Sequence, residues 1–201
     1  MVTTADSPER EHDGPEGEDP AYAHVVAVAD DLFYTHGIRA VTMRYVRDEA
    51  GIPLKRLYRM FPSKEVLVAA SLRRRDETAR TAIQERVDAA ENPTEKVLAV
   101  FDFLNDWFHQ PGFRGCVFVD AFGQLGGTSP EVHDVVVRHK RSLRDLVIRA
   151  VEEMGVPNAP VVGAQLAVLV DGAMAHATIA GDPDAARYAQ RAARTVLNSG
   201  E

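Results

Sequence analysis

The chain has 201 residues, a formal net charge of −7, 45 % hydrophobic and 26 % charged residues; this suits a globular protein built as one large domain or as a small domain joined to a larger one. Its single cysteine, Cys116, excludes an intramolecular disulfide framework and fits a reducing cytoplasm. The N-terminus lacks the basic start and apolar run of a signal peptide, and the most apolar stretch, 161–180, is interrupted by Gln165, Asp171 and His176, so no membrane span is expected.

Residues 1–19 carry seven acids and one base, with Pro8, Pro15 and almost no large apolar side chains. They cannot bury enough surface to offset ordering and are expected to form a disordered acidic tail. From Ala21 the pattern turns helical. Val25, Val28, Ala29, Leu32 and Phe33 keep the three-to-four spacing of an amphipathic helix that stops at His36-Gly37. Thr42 is a good cap for the next helix, whose buried face is Met43, Val46 and Ala50. Gly51 ends it. Pro53 suits the first turn of a following short helix, and Pro62-Ser63 closes that one and caps a longer helix to about Ala90. Further helices are expected at about 94–109, 115–125, 130–154, 158–180 and 182–198, separated by proline and glycine breaks. Cys116–Phe122 is apolar enough for a short buried strand, but its neighbours are helical. The fold class expected is all-α, with about nine helices.

The charge is uneven. Residues 1–19 sum to −6, residues 20–65 to +2 and the remainder to −3, so a slightly basic module sits between an acidic tail and an acidic body. Within that module, a helical wheel over 54–61 puts Leu54, Leu57, Tyr58 and Phe61 on one arc and Lys55, Arg56 and Arg59 on the other. No acid lies within 54–61. Two helices joined by a tight glycine turn, the second presenting cations, describe a helix-turn-helix with its second helix meant for a DNA major groove. A solvated basic face is the plainer explanation, but three neighbours argue against it. Thr42 and Arg44 open the preceding helix, where N–H groups and a hydroxyl can hold a phosphate. Lys64 lies in the first turn of the next helix, where a cation opposes the helix dipole unless an anion joins it. Tyr58 supplies a phenol able to pack and to hydrogen-bond to a sugar–phosphate backbone.

Residues 22–69, with "LFYTHGIRAVTMRYVRDEAGIPLKRLYRMFPSKEVLV" at their centre, resemble the N-terminal domain of the TetR family of bacterial transcriptional regulators. The resemblance is carried by Leu32-Phe33, Gly37-Ile38, Thr42, Ala50-Gly51-Ile52, Leu57-Tyr58, Phe61 and Lys64-Glu65-Val66-Leu67 together. It implies that Thr42, Tyr58 and Lys64 touch the DNA backbone, and that Leu54, Lys55, Arg56 and Arg59 meet base edges or flanking phosphates. Pro53, Arg56 and Met60 depart from the residue types the family often carries, which leaves the operator sequence open. The resemblance further implies a helix-turn-helix domain over 20–66, a helical ligand-binding and dimerisation domain over 67–201, and a homodimer on a palindromic operator. It favours a repressor in a bacterial cytoplasm.

The residues support the dimer independently. The stretch 161–180 is apolar almost all round and rich in glycine and alanine, as expected of a helix buried on more than one side, with a central core helix of a monomer as the alternative. In 94–109 two apolar stripes, one with Phe101 and Phe108 and one with Phe103 and Trp107, are followed by Phe113, Phe118 and Phe122. More aromatics than one face needs suggest a cavity for a small hydrophobic or aromatic effector, with Phe103, Trp107, Phe118 and Phe122 as candidates and core packing as the alternative for each. Gln165 and His176, nearly three turns apart on one face, either orient that ligand or are satisfied polar groups of the core or dimer seam. No nucleophile elbow, phosphate-binding glycine loop, paired-cysteine zinc motif or His-Glu-x-x-His occurs. No enzyme activity, cofactor or metal is therefore expected. The competing class is a helical small-molecule carrier whose basic helix is incidental.

Overall fold

The structure, a computed structural model, describes residues 19–199; apart from Asp19, the acidic tail lies outside the described residues. These residues form nine α-helices and no strand: α1 Pro20–His36, α2 Met43–Ala50, α3 Leu54–Met60, α4 Lys64–Asp88, α5 Pro93–Phe108, α6 Val117–Leu125, α7 Pro130–Glu153, α8 Ala159–Ala180 and α9 Ala185–Ser199.

Side-chain caps start several of them. Asp19 Oδ1 accepts from Ala21 N at 2.8 Å, Thr42 Oγ1 from Tyr45 N at 3.2 Å, Ser63 Oγ from Val66 N at 3.2 Å and Asn92 Oδ1 from Glu95 N at 3.0 Å. Each satisfies a backbone N–H that the helix itself leaves unpaired. Pro53 precedes α3 as its N-cap (φ −64°, ψ 137°), one position before the first turn expected for it. Its carbonyl still accepts from Arg56 and Leu57 N. Two helix starts lie later than the sequence breaks suggest. Cys116 is extended, so α6 begins at Val117. The 182–184 segment is held as a turn in which Asp182 Oδ1 accepts from Asp184 N at 3.0 Å, which delays α9 to Ala185. Cys116–Phe122 is thus helical from Val117 onward.

The apolar residues collect into two clusters. The first joins α1, α2, α3 and the start of α4 to α6 and the start of α7, with Leu57, Phe61, Leu67, Phe118 and Val132 inside it. The second joins the rest of α4 and α7 to α5, α8 and α9 around Ile83, Phe101, Leu104, Val147, Leu166 and Leu197. Both α4 and α7 run through the two clusters, so the α1–α3 end and the body share two continuous rods. α8 is long and apolar enough to cross a membrane, but core helices share that composition, and α8 buries Val162, Leu166, Val170 and Met174 in the second cluster. Gly163 is buried against α7: a Cβ there would run into Ile148 Cγ1 and lie 3.0 Å from Ile148 Cα.

Candidate nucleic-acid interface and effector cavity

The turn between α2 and α3 pivots on Gly51, whose φ of 64° is the left-handed conformation that glycine adopts without a Cβ clash. Leu57 and Phe61 are fully buried behind it, and Phe61 packs on Tyr22 with ring centroids 4.7 Å apart. That anchoring turns the other face of α3 outward. Lys55, Arg56 and Arg59 are exposed there; Tyr58, expected on the packing arc, is 46 % exposed at its edge, and Leu54 is half-buried at the helix start.

Around α3, Thr42 and Arg44 are exposed at the start of α2. Because Thr42 Oγ1 already accepts from Tyr45 N, its hydroxyl proton is left to donate outward. Lys64 stands in the first turn of α4, and partial burial lowers its pKa while neighbouring Glu65 opposes the shift. A desolvated ammonium at a helix N-terminus is matched by an approaching phosphate. One relationship has no local signature in the sequence. Asp19 Oδ2 lies 3.5 Å from Arg56 Nη2, so a carboxylate occupies part of the cationic face.

Within the body, a cavity of about 330 Å³ opens between α4, α5 and α7. Its apolar lining includes Val100, Phe103, Leu104, Trp107, Phe118 and Leu143, and its polar side includes Asp30, Arg74, Arg75, His139, Lys140 and Asp171. Three of the four aromatic candidates, Phe103, Trp107 and Phe118, line it. Phe122 does not; it lies one turn further along α6, 44 % exposed, with its ring centroid 5.8 Å from that of His133 on α7. Gln165 faces an apolar depression on α8 and α9 with Val161, Val168 and Val196. His176 is exposed, 3.6 Å from Asp182.

The polar wall went unread in the sequence. Asp30, buried on α1, accepts from Arg75 Nε at 2.8 Å and Nη2 at 3.0 Å, and from Arg74 Nη1 at 3.4 Å. The Arg75 guanidinium also lies 4.3 Å over the Tyr34 ring. His139 Nδ1 is 2.7 Å from buried Asp76, and its ring stacks on Phe118 at 3.6 Å. The arginine run 73–75 was the visible signal; its partner lies 45 positions away. Among the described residues, no group of His, Cys, Asp and Glu side chains is placed to hold a metal ion.

Residues 25–71 match the family model described as bacterial regulatory proteins, tetR family, and residues 126–199 match a tetracyclin repressor-like C-terminal domain. The chain belongs to the TetR family. Among curated relatives of this TetR-family protein, the HTH-type transcriptional regulator YjdC of Escherichia coli (strain K12) is 21 % identical over 174 residues, covering 86 % of this chain and 91 % of YjdC. Among solved structures, SCO4454, a TetR-family transcriptional regulator from Streptomyces coelicolor, superposes with a TM-score of 0.82 at 29 % identity over 90 % of each chain. The putative tetR transcriptional regulator sav143 of Streptomyces avermitilis gives 0.78 at 23 % identity, covering 90 % of this chain and 98 % of its own. The reduced form of E. coli NemR gives 0.78 at 19 % identity, covering 89 % and 98 %. The TetR-family protein is therefore a transcriptional regulator with a helix-turn-helix DNA-binding fold, and not an enzyme.

Proposed function

We propose that this regulator is a repressor. It binds a palindromic operator as a homodimer in the bacterial cytoplasm, and it releases the operator when a small hydrophobic or aromatic ligand fills the body cavity. Residues 20–66 read DNA, and residues 67–201 hold the effector and the dimer contact. The observation that carries the reading is the outer face of α3. Lys55, Arg56, Tyr58 and Arg59 stand exposed on a helix anchored by the fully buried Leu57, flanked by Thr42, Arg44 and Lys64 at two helix N-termini.

Contacts to base edges or flanking phosphates fall to Leu54, Lys55, Arg56 and Arg59, and backbone contacts to Thr42, Arg44, Tyr58 and Lys64. The dimer is favoured by the apolar outer surface of α8 and α9, where Val161 is 58 %, Val168 70 % and Tyr188 56 % exposed in the single chain. Two copies joined there bring two recognition helices to one duplex, and a palindrome mirrors their symmetry. Ligand control needs different affinity for the two states of the dimer. Because α4 and α7 run from the cavity into the cluster that holds the recognition unit, a change of packing at one end reaches the other.

The test is fluorescence anisotropy with duplexes tiling the DNA upstream of the protein's own gene, each at two salt concentrations. A duplex bound far more tightly than its neighbours, with affinity falling steeply as salt rises, is the expected result. Weak, uniform binding to every upstream duplex and to a genome-wide selected pool alike would defeat the reading.

A further inference from the structure

The charges on the cavity wall do not balance, and the imbalance is local. Four arginine and lysine side chains, His139 and three carboxylates line the cavity. Arg86 pairs with Asp106 at 2.8 Å and Lys140 with Asp171 at 2.5 Å. His139 is held by Asp76 from behind. That leaves Arg74 and Arg75 sharing the single carboxylate of Asp30, whose side chain is 9 % exposed. Two guanidinium groups offer more N–H donors than one carboxylate accepts. The contacts are also unequal: Arg75 grips Asp30 with two prongs, and Arg74 adds a single contact at 3.4 Å to an oxygen already taken. One unit of positive charge is therefore uncompensated on the same cavity lining as the apolar wall of Phe103, Leu104 and Trp107; the Arg74 side chain is 49 % exposed, so water screens part of its pull on an anion, and its remaining guanidinium donors are free to bind one.

We infer that the effector is an organic monocarboxylate: an apolar body about the size of one ring system, seated among Phe103, Trp107 and Phe118, with a carboxylate head that competes with Asp30 for Arg74 and Arg75. The inference rests on the reading of this cavity as the effector site. A carboxylate matches the planar fork of a guanidinium shape for shape, as Asp30 already does. A neutral ligand leaves the excess charge unmet, and a cation is repelled by it. The volume of about 330 Å³ lies at the small end of ligand pockets, ~300–1,000 Å³, which limits the body to a compact one.

The same competition ties occupancy to DNA. Asp30 belongs to α1, which packs in the cluster that carries α2 and α3, whereas Arg74 and Arg75 belong to α4. A ligand carboxylate that takes the guanidinium donors removes the partners of a buried acid and loosens α1 from α4. The ligand then favours the loosened state because only there is its head fully bound.

The experiment is isothermal calorimetry of the full chain with 4-phenylbutyrate, 2-naphthoate and octanoate, each beside its primary amide, and with 4-phenylbutylamine. Quenching of Trp107, the single tryptophan of the chain, locates the non-fluorescent ligands at the cavity. At least one acid should bind about tenfold or more tighter than its amide, the difference expected of a charge-assisted contact, and the amine should bind more weakly still. Asp30→Asn should widen the acid-to-amide ratio by removing the competitor, and Arg74→Gln, at an exposed position and therefore compatible with folding, should narrow it. An amide or the amine binding as tightly as the acids, no acid binding, or a ratio that Asp30→Asn leaves unchanged or shrinks would overturn the inference. Operator affinity of the ligand-free protein is measured alongside. Tight operator binding without an acid preference defeats the carboxylate assignment alone, and an acid preference without operator binding defeats the repressor reading alone.

Discussion

Asp30 on α1 and Arg75 on α4, 45 positions apart, meet in a two-pronged ion pair, with Arg75 Nε donating to Oδ1 at 2.8 Å and Nη2 to Oδ2 at 3.0 Å. Opposite the pair, the Tyr34 ring covers the guanidinium, and the Tyr34 hydroxyl accepts from Arg114 N at 2.9 Å. The tie therefore joins α1, α4 and the segment before α6. Arg75→Met leaves Asp30 buried with only the longer Arg74 contact. It should cost about 2–3 kcal/mol in urea unfolding, below the ~3–5 kcal/mol of a fully buried pair because Arg75 keeps some solvent contact. Adding Asp30→Leu should return most of that loss, since no buried charge is then stranded. A loss below about 0.5 kcal/mol for Arg75→Met, the range of ordinary surface changes, would show that the tie does not hold the fold.

Arg59 is the cleanest probe of the reading face, because it is exposed and makes no ion pair among the described residues. Arg59→Ala should leave the urea midpoint unchanged and weaken operator binding by ~1–3 kcal/mol, the worth of one bidentate contact to a base edge. Binding to unrelated duplexes should fall much less. Anisotropy on both duplexes at one salt concentration separates the outcomes. Equal losses on both would reassign Arg59 to a phosphate contact.

How legible each part was depends on whether its determinants are local. Thr42, Gly51 and Ser63 act within a turn of their own positions, and the split of α3 into a buried and a cationic face follows from helical spacing alone, so the recognition unit could be read along the chain. The cavity is different. Phe118 and Phe122 lie four apart on one face of α6 and both rings meet α7, at His139 and His133, but nothing in the sequence says that the cavity reaches Phe118 and ends before Phe122. Gln165 and His176 share the apolar helix α8 with residues that do enter the core, but their own face is turned to solvent. The pairing of Asp30 with Arg74 and Arg75 exists only because α1 and α4 cross, and that crossing is a property of the assembled bundle. The starts of α6 and α9 shifted for a smaller reason, since a side-chain turn or an extended residue holds the chain off a helix for two or three positions.

Gly163 sets the distance between α7 and α8. Its missing side chain lets the two helices approach until Ile148 fills the space. Gly163→Ala should lower stability by ~1–3 kcal/mol through overpacking, although alanine favours the helix by ~1 kcal/mol in isolation. Ile148→Ala removes Cγ1, one of the obstructing atoms, but leaves Ile148 Cα in place. The double variant should therefore recover part of the loss relative to the sum of the singles. Thermal melts of the four proteins give the coupling, and strict additivity would mean that the helices simply part to admit the methyl group.

The outer surface of α8 and α9 is tested at Val168, which is 70 % exposed in the single chain and so contributes little to the fold of one protomer. Val168→Glu should keep the circular dichroism spectrum and sediment as a monomer at micromolar concentration. If operator binding uses two linked half-sites, the same variant should lose about 100-fold or more in affinity, because the second half-site no longer benefits from tethering. A Val168→Glu protein that stays dimeric would move the dimer contact to another face.

Lys64 links pH, stability and DNA at one position. Burial lowers its pKa from the ordinary 10.5, with Glu65 pulling the other way. Because the folded value is the lower one, the unfolded chain holds more protons between the two values. Stability from this group therefore rises with pH through that alkaline window, and the charged form costs the folded state below it. Phosphate contact has the opposite demand, since it needs the ammonium. Operator affinity should accordingly begin to fall at a lower pH than ordinary lysine titration would bring, while Lys64→Met should flatten that early decline. At neutral pH the same variant should be more stable by about 0.5 kcal/mol, having removed a cation from a helix N-terminus, and it should bind every duplex more weakly with a salt slope smaller by ~1. Anisotropy from pH 7 to the lysine range at fixed ionic strength, beside urea melts at neutral pH, reads both effects. A Lys64→Met protein that is destabilised at neutral pH, with operator binding unchanged, would make Lys64 a structural residue of α4 and remove it from the DNA contact.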